Sequence, residues 1–145
     1  MNSVQKLREA TGAGIMDCKR ALDDAKGDFD GALKLIQERG FVKAAKRADR
    51  ATGAGVLESY IHQGRVGVLL DLRSETDFVA NSEPFRALAH ELAMQIAAMN
   101  PGSIDGLLAQ PYIKDAGATV SELVKGAMAK LGENIRIERF TRYEL

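Results

Sequence analysis

The chain has 145 residues, of which 46% are hydrophobic, and its 20 basic and 20 acidic side chains cancel at neutral pH. This length accommodates one ordinary domain, or a small domain with a modest one, and the apolar content suffices for a core. Because the net charge is zero, non-specific binding to nucleic acid or to an anionic membrane lacks its usual source of affinity.

Cys18 is the single cysteine of the chain, so no intramolecular disulfide can form and a reducing compartment is indicated. The N-terminal stretch "MNSVQKLREATG" lacks the apolar region of a secretory signal. No apolar run approaches the roughly 20 residues that cross a bilayer. We therefore expect a cytoplasmic protein that does not bind membranes.

The N-terminal part predicts three short amphipathic helices. The first covers residues 3–11, with Ser3 as a candidate N-cap, and the second covers about 15–25. The third stops at Gly40, because glycine is a common helix end. Their apolar stripes are Val4, Leu7 and Thr11; Ile15, Cys18, Leu22 and Ala25; and Phe29, Ala32, Leu33 and Ile36. Helices this short are not stable alone, so the stripes should pack together.

The stretch "FVKAAKRADRATGAG" at residues 41–55 is basic at first and then contains glycines. It predicts a helical linker that breaks at Gly53, with a domain boundary near residue 52. We therefore expect residues 1–52 to form a helical module with its linker, and residues 53–145 to form a second domain.

One basic run, Lys43, Lys46, Arg47 and Arg50, is a candidate for RNA contact. The alternative is a solvated helix face. The second interpretation is favoured, because the net charge is zero and the run lacks interleaved aromatic residues that would stack on bases.

The second domain combines β-rich and helical patterns. Two β-rich runs flank "HQGR" at residues 62–65 and predict a hairpin with its glycine in the turn. A helix follows, capped by Asn81 or Ser82 and ended by "NPG". Residues 100–118 predict an irregular connection, because they are rich in Gly, Pro and Asp.

The C-terminal part predicts a helix and a strand. Thr119 and Glu122 form a capping box that opens a helix running to Leu131. The stretch "NIRIERF" then alternates apolar and polar residues, which predicts a third strand with a bulge near Arg139 and Phe140. The fold class is therefore α+β: a three-helix N-terminal module, then a core of three-stranded antiparallel sheet with packed helices.

The sequence offers no convincing catalytic, metal or cofactor site, so we expect no enzyme activity, no bound metal and no cofactor. His62 and His90 lack neighbours at metal-ligand spacing, and Cys18 lies on an apolar stripe, which favours a structural thiol. Neither a P-loop nor a dinucleotide fingerprint is present. Carboxylates are plentiful, but nothing pairs them as acid and base.

The stretch "SETDFVANSEPF" at residues 74–85 joins the hairpin to the following helix. Residue types alone favour a core position for Phe78 and Val79, since large apolar side chains are usually buried. Their location argues for binding, because loops on a rigid scaffold often carry functional residues. Composition does not decide between the two interpretations.

Three motifs, "KLREATGAGIMDCKRAL", "ETDFVA" and "KLGENIRIERF", occur in this order and span nearly the whole chain. Together they resemble the elongation factor Ts family, the guanine-nucleotide exchange factors of bacterial and organellar translation. The resemblance implies an N-terminal module similar to ubiquitin-associated domains and a core of antiparallel sheet and helices. It also implies a partner, elongation factor Tu, a P-loop GTPase bound in its GDP and nucleotide-free forms.

The resemblance assigns a wedge to the motif Thr76, Asp77, Phe78 and Val79. Phe78 would enter an apolar pocket in the partner's nucleotide-binding domain, and Asp77 would perturb the polar contacts around its Mg²⁺. Val79 is expected to be partly structural. This expectation reverses the core position that residue types alone favour for Phe78.

The resemblance also assigns a second contact to the N-terminal module, at Arg8, Ile15, Met16 and Lys19. Ile15 and Met16 are adjacent on a helix, so they cannot point the same way. We therefore expect one of them, Met16, to be exposed apolar surface available to a partner.

The chain departs from the family between residues 99 and 119, where members usually carry a longer stretch. A core with only one three-stranded sheet leaves an apolar face or edge of that sheet uncovered. We therefore expect a homodimer in which a second copy covers it. Two other functions stay open: a ubiquitin-associated-like adaptor that binds peptides or helices, and a ribosome-associated RNA-binding module. The adaptor predicts activity in residues 1–52 alone, and the RNA binder predicts steep salt dependence.

Overall fold

The computed structural model describes residues 2–145 and confirms the α+β class. Two hydrophobic cores are present, one among the three N-terminal helices and one between a three-stranded sheet and the later helices. In chain order the elements are α1 (Ser3–Thr11), α2 (Ile15–Asp24), α3 (Phe29–Lys46), β1 (Ala54–His62), β2 (Val66–Ser74), α4 (Asp77–Ala80), α5 (Glu83–Met99), α6 (Ile104–Ala109), β3 (Pro111–Tyr112), β4 (Asp115–Thr119), α7 (Val120–Leu131) and β5 (Arg136–Glu144).

The N-cap of α1 is Asn2 rather than the predicted Ser3. The Asn2 side chain accepts a hydrogen bond from the Gln5 backbone N–H at 2.8 Å, and the Gln5 side chain accepts one from the Asn2 N–H at 3.3 Å. Asparagine and serine are comparable N-caps, so residue type does not decide between Asn2 and Ser3. The reciprocal hydrogen bonds with Gln5 favour Asn2. Gly12 ends the helix with φ 72°.

The N-terminal helices share a core, as their stripes predict. Its buried members are Leu7, Cys18, Ala21, Leu22 and Ala32. Ile15 is an exception: it was predicted on the buried stripe, but its side chain is exposed. It is the first residue of α2, about one turn before the first buried residue of that helix, Cys18. At the helix end it does not reach the core that the rest of the stripe joins.

Helix α3 does not stop at Gly40 but continues to Lys46. Glycine ends a helix by adopting a positive φ, and Gly40 does not adopt one. It instead allows a close approach to α7, because a Cβ at this position would lie 2.9 Å from the Ala129 Cβ. The end of α3, predicted as linker, therefore packs on the second core, where Ala44 is buried.

The three long strands form an antiparallel sheet in the order β1-β2-β5, and the predicted hairpin is confirmed. The bulge predicted in β5 is also present, one residue before the predicted place. Asp71 pairs with Arg139, whereas Leu72 pairs with Ile137, so Glu138 is the extra residue of β5.

The sheet has two unlike faces. Helix α5 packs on the inner face, where Val68, Leu70 and Leu72 are buried. The outer face carries exposed apolar side chains from all three strands: Leu57, Ile61, Leu69 and Tyr143. This alternation follows from the period of two along a strand.

Residues 100–118, predicted as an irregular connection, contain helix α6 and the small β3–β4 hairpin. The buried Gln95 of α5 holds this hairpin. Its amide donates to the Pro111 carbonyl at 3.1 Å and accepts from the Ile113 N–H at 3.0 Å. Helix α5 thus adds hydrogen bonds from outside the connection to those within it, such as the Ser103 cap of α6.

Glu91 makes a second attachment between α5 and the hairpin. Its carboxylate accepts hydrogen bonds from the Tyr112 hydroxyl at 2.8 Å and from Lys114 Nζ at 2.7 Å. Burial acts to raise the pKa of Glu91, but the hydrogen bonds from Lys114 and Tyr112 outweigh it and lower that pKa. Burial and the contact with Glu91 raise the pKa of Tyr112 to about 12.

The two helices predicted in the second half, α5 and α7, begin and end as expected. Ser82 caps α5, whose last turn is followed by Asn100 in the left-handed conformation. Thr119 and Glu122 form the capping box of α7, and Gly132 ends that helix with φ 76°.

Candidate partner-binding site

The turn between β2 and α5 contains the one-turn helix α4, which is fixed at both ends. The Thr76 hydroxyl accepts a hydrogen bond from the Val79 N–H at 3.3 Å, and the Thr76 carbonyl accepts one from the Ala80 N–H at 3.1 Å. At the other end, the Ser82 hydroxyl donates to the Val79 carbonyl at 2.6 Å. A helix this short has no stability of its own, so these bonds define its orientation.

Helix α4 points two neighbouring apolar side chains in different directions. Phe78 is 87% exposed, whereas Val79 is only 6% exposed and packs in the second core with Ala80. Successive helical residues are rotated by about 100°, so burying Val79 turns Phe78 towards solvent. The core position that residue types alone favoured for Phe78 is therefore wrong.

Asp77 borders a shallow cavity of about 330 Å³ on the outer face of the sheet. The buried Asp71 lies in the same cavity and accepts hydrogen bonds from Arg73 Nε at 2.6 Å and from Arg139 Nε at 3.2 Å. The hydrogen bond from Arg73 lowers the pKa of Asp71 against the effect of burial, and Arg139 acts in the same direction. Asp71 is therefore a fixed negative charge beside the turn.

The turn is also bound to the segment between α7 and β5. The Glu133 carboxylate accepts hydrogen bonds from the backbone N–H groups of Glu75 and Thr76, at 3.1 and 3.0 Å, and from the Thr76 hydroxyl at 2.7 Å. Sequence reasoning did not single out Glu133. The one available signal was its place in the motif "KLGENIRIERF", because such a distant contact leaves no local periodicity.

The four N-terminal candidates, Arg8, Ile15, Met16 and Lys19, are all exposed. Ile15 is 56% and Met16 is 57% exposed, so the expectation that only Met16 faces solvent is wrong. These residues lie on α1 and α2, whereas the wedge motif lies on α4 and its cap. The two halves of the protein meet chiefly through α3 and α7.

Three of the four side chains in the basic run have partners within the protein. Lys43 is paired with an aspartate of α2 at 3.5 Å, and Arg47 Nη1 donates to the Met128 carbonyl at 3.0 Å. Arg50 lies 3.8 Å from the Glu75 carboxylate. These contacts attach the end of α3 to its surroundings and favour a structural use of the run over RNA contact.

The two histidines both lie against Tyr60. The Tyr60 hydroxyl is 3.0 Å from His62 Nδ1, and the His90 ring meets Tyr60 edge-on. Among residues 2–145, no group of three or more His, Cys, Asp or Glu side chains is placed to hold a metal ion. Within the same residues, no helix combines the length and the apolar character needed to cross a membrane.

Comparison with known proteins agrees with the motifs. Residues 75–145 match the sequence model of the family described as Elongation factor TS. Proteins named Elongation factor Ts from Alkaliphilus oremlandii and from a Nostoc species are 38% and 45% identical to this chain, over 187 and 143 residues. Each alignment covers 98% of this chain, with 87% of the Alkaliphilus protein and 45% of the Nostoc protein. The chain belongs to the elongation factor Ts family.

Membership of the elongation factor Ts family supports a role as a translation elongation factor, and the resemblance drawn from the three motifs is confirmed. A third relative, named Elongation factor Ts, chloroplastic, from Cyanidioschyzon merolae, is 41% identical over 191 residues. That alignment covers 98% of this chain and 91% of the relative.

The elongation factor Ts relatives differ from this chain in length. The alignments with the Alkaliphilus and Cyanidioschyzon proteins run over 187 and 191 residues, more than the 145 of this chain, so both relatives contain residues that it lacks. The chain spans slightly less than half of the Nostoc protein. The match to the family model begins at Glu75, so it contains the wedge motif and Glu133 but not helices α1–α3.

Proposed function

We propose that this protein is a guanine-nucleotide exchange factor that binds elongation factor Tu in its GDP form, promotes GDP release and holds the nucleotide-free form until GTP binds. The observation that carries the proposal is Phe78, an aromatic side chain that is 87% exposed on a turn fixed by hydrogen bonds. Aromatic residues on rigid elements are typical anchors of protein interfaces. In this role the protein forms and breaks no covalent bond, so it is a binding protein and not an enzyme.

Exchange of this kind follows from linked equilibria. The partner holds GDP through its P-loop and through Mg²⁺, whose octahedral geometry tolerates little distortion. A protein that binds the distorted, nucleotide-free site more tightly must weaken nucleotide binding by the same coupling free energy.

The residues of the wedge motif have different roles in weakening nucleotide binding. Burial of the Phe78 ring in an apolar pocket of the partner contributes about 2–3 kcal/mol, enough to displace a helix near the Mg²⁺ site. Asp77, exposed beside it, perturbs the polar contacts around the metal. Thr76 caps the turn and Val79 anchors it in the core, which keeps the wedge in place.

The N-terminal helices supply a second contact with the same partner. Ile15 and Met16 form an exposed apolar pair, and Arg8 and Lys19 are exposed on the same two helices. Apolar side chains with polar surroundings are typical of interfaces. We assign this contact to residues 1–52 and the wedge to residues 53–145, and place the activity in the cytoplasm.

We also propose that two copies associate through the outer face of the sheet. Exposed apolar residues from all three strands lie on that face, and an open face of an antiparallel sheet is ordinarily polar. In a two-fold dimer the outer faces of both copies would pack against each other, because a two-fold interface uses the same surface of each subunit.

The exchange activity is tested by the release rate of fluorescent GDP from elongation factor Tu. Wild-type protein should accelerate release, and Phe78→Ala should lower the rate about 30-fold, because a loss of about 2 kcal/mol corresponds to that factor. Met99→Ala, which truncates another exposed apolar side chain, is the matched control and should act like wild type.

Two outcomes would count against these assignments. If the wild-type protein leaves GDP release unchanged, the exchange function is wrong. If Phe78→Ala and wild type accelerate release equally, the exchange function stands and the wedge assignment fails. Met16→Ala then measures how much of the coupling the N-terminal helices carry.

A further inference from the structure

Three segments that are distant in sequence meet behind the wedge motif. They are the β2–α4 turn at Glu75 and Thr76, the α7–β5 turn at Glu133 and Asn134, and the backbone of residues 48–50, which leads from α3 to β1. We call the contacts of Glu133 and Asn134 the clasp.

The Glu133 half of the clasp holds the wedge motif itself. One carboxylate oxygen accepts from two successive backbone N–H groups, those of Glu75 and Thr76, and the other accepts from the Thr76 hydroxyl. Because the Thr76 O–H donates to Glu133, the hydroxyl is oriented so that its oxygen can accept from the Val79 N–H, the hydrogen bond that caps α4. The hydrogen bonds and position of Glu133 therefore set the cap on which the direction of Phe78 depends.

The Asn134 half of the clasp extends to the chain that leads from the N-terminal helices. Its backbone N–H donates to the Glu75 carboxylate at 2.6 Å, and its side-chain amide donates to the carbonyls of Ala48 at 3.2 Å and Arg50 at 2.9 Å. Asn134 is buried, so these carbonyls would lose their partner if the amide were removed. One residue thus joins the wedge turn to the connection between the two proposed contact surfaces.

We propose that Glu133 is a positioning residue for exchange that fixes the direction of Phe78, while Asn134 joins the wedge turn to the chain at residues 48–50. The inference rests on the exchange function proposed above. It predicts that loss of Glu133 acts only through Phe78, whereas a merely structural role would act on folding or independently of Phe78.

The first test is a double-mutant cycle on GDP release from elongation factor Tu. Glu133→Ala should lower the release rate about tenfold in the wild-type background and cause no further loss in the Phe78→Ala background. Glu133→Gln, whose amide can still accept from both N–H groups and bond the Thr76 hydroxyl, should restore most of the rate. Glu38→Ala, which removes an exposed carboxylate of α3, is the matched control and should have no effect.

Either of two results would overturn the role of Glu133 in exchange. One is a Glu133→Ala rate equal to wild type. The other is an equal fractional loss in both backgrounds, which would mean that Glu133 does not act through Phe78. Thermal unfolding of each variant, followed by circular dichroism, identifies any variant that has lost its fold.

The second test needs no partner and so separates this inference from the exchange function. Amide hydrogen exchange at Thr76 and Val79 should be markedly faster in Glu133→Ala than in wild type, while the core of α5 stays protected. Unchanged protection at both amides would overturn the clasp. A further outcome is that the wild-type protein leaves GDP release from elongation factor Tu unchanged while the two amides still lose protection in Glu133→Ala. In that case the exchange function is wrong, and the clasp stands as a set of contacts that orients Phe78.

Discussion

Phe78 and Val79 are consecutive residues with opposite surroundings: Phe78 projects into solvent, and Val79 is buried against the second core. The proposed wedge and its anchor thus occupy a single turn of helix. This arrangement separates binding from folding, because truncating Phe78 removes little core packing and truncating Val79 removes a core contact.

Replacing Phe78 with alanine should leave the free energy of unfolding within about 0.5 kcal/mol of wild type, as is usual for exposed positions. Val79→Ala removes buried carbon atoms and should cost about 1–3 kcal/mol. Urea unfolding followed by circular dichroism measures both changes. A large loss of stability in Phe78→Ala would mean that the ring packs on its own protein, which contradicts a wedge.

The sequence predicted the elements around the wedge motif but not the direction of Phe78. The β-rich runs of the hairpin and the cap at Ser82 are local patterns, and both are confirmed. The direction of Phe78 depends on the packing of Val79 into the core formed by α5 and the sheet. Residue types near Phe78 do not predict that packing, because many of the core residues are distant in sequence. The location of Phe78 in a turn argued for an exposed ring without deciding it, and the family resemblance was what favoured that position.

Two further errors have the same physical origin. Gly40 has the residue type that commonly ends a helix, but it serves a contact with α7, far along the chain. Residues 100–118 have the composition of a loop, but they gain order from Gln95 and Glu91 of α5. In each case the partner that decides the structure lies outside the local pattern.

Gly40→Ala should destabilise the protein despite the better helix propensity of alanine. Propensity favours alanine by about 1 kcal/mol, but the new Cβ would lie 2.9 Å from the Ala129 Cβ, and such overpacking costs about 1–3 kcal/mol. Gly126→Ala in α7 is the matched control: nothing lies within 4 Å of its Cβ position, so it should gain about 1 kcal/mol. Urea unfolding compares the two, and a gain in both would mean that α3 and α7 are not in close contact.

Asp71 should contribute to stability in a pH-dependent way. Its pKa is lowered in the folded protein, mainly by the hydrogen bond from Arg73, so its contribution is present above about pH 4 and is lost as the pH falls through the folded-state value. Asp71→Asn should therefore reduce the free energy of unfolding more at pH 7 than at pH 3. Asp49→Asn, at an exposed position, is the control and should show no such difference. An effect of Asp71→Asn that grows on acidification would contradict the assignment.

The outer face of the sheet should mediate self-association. Light scattering at micromolar concentration is expected to give the mass of two chains, because the exposed apolar side chains of three strands form one surface that a second copy can cover. Ile61→Lys places a charge on that surface and should return the mass to one chain without loss of folding, since Ile61 is exposed. Ile113→Lys, at an exposed position of the β3–β4 hairpin, should leave the dimer intact. A wild-type mass of one chain would contradict the dimer and leave the outer face, with Asp77 at its border, open to the partner that Phe78 is proposed to bind.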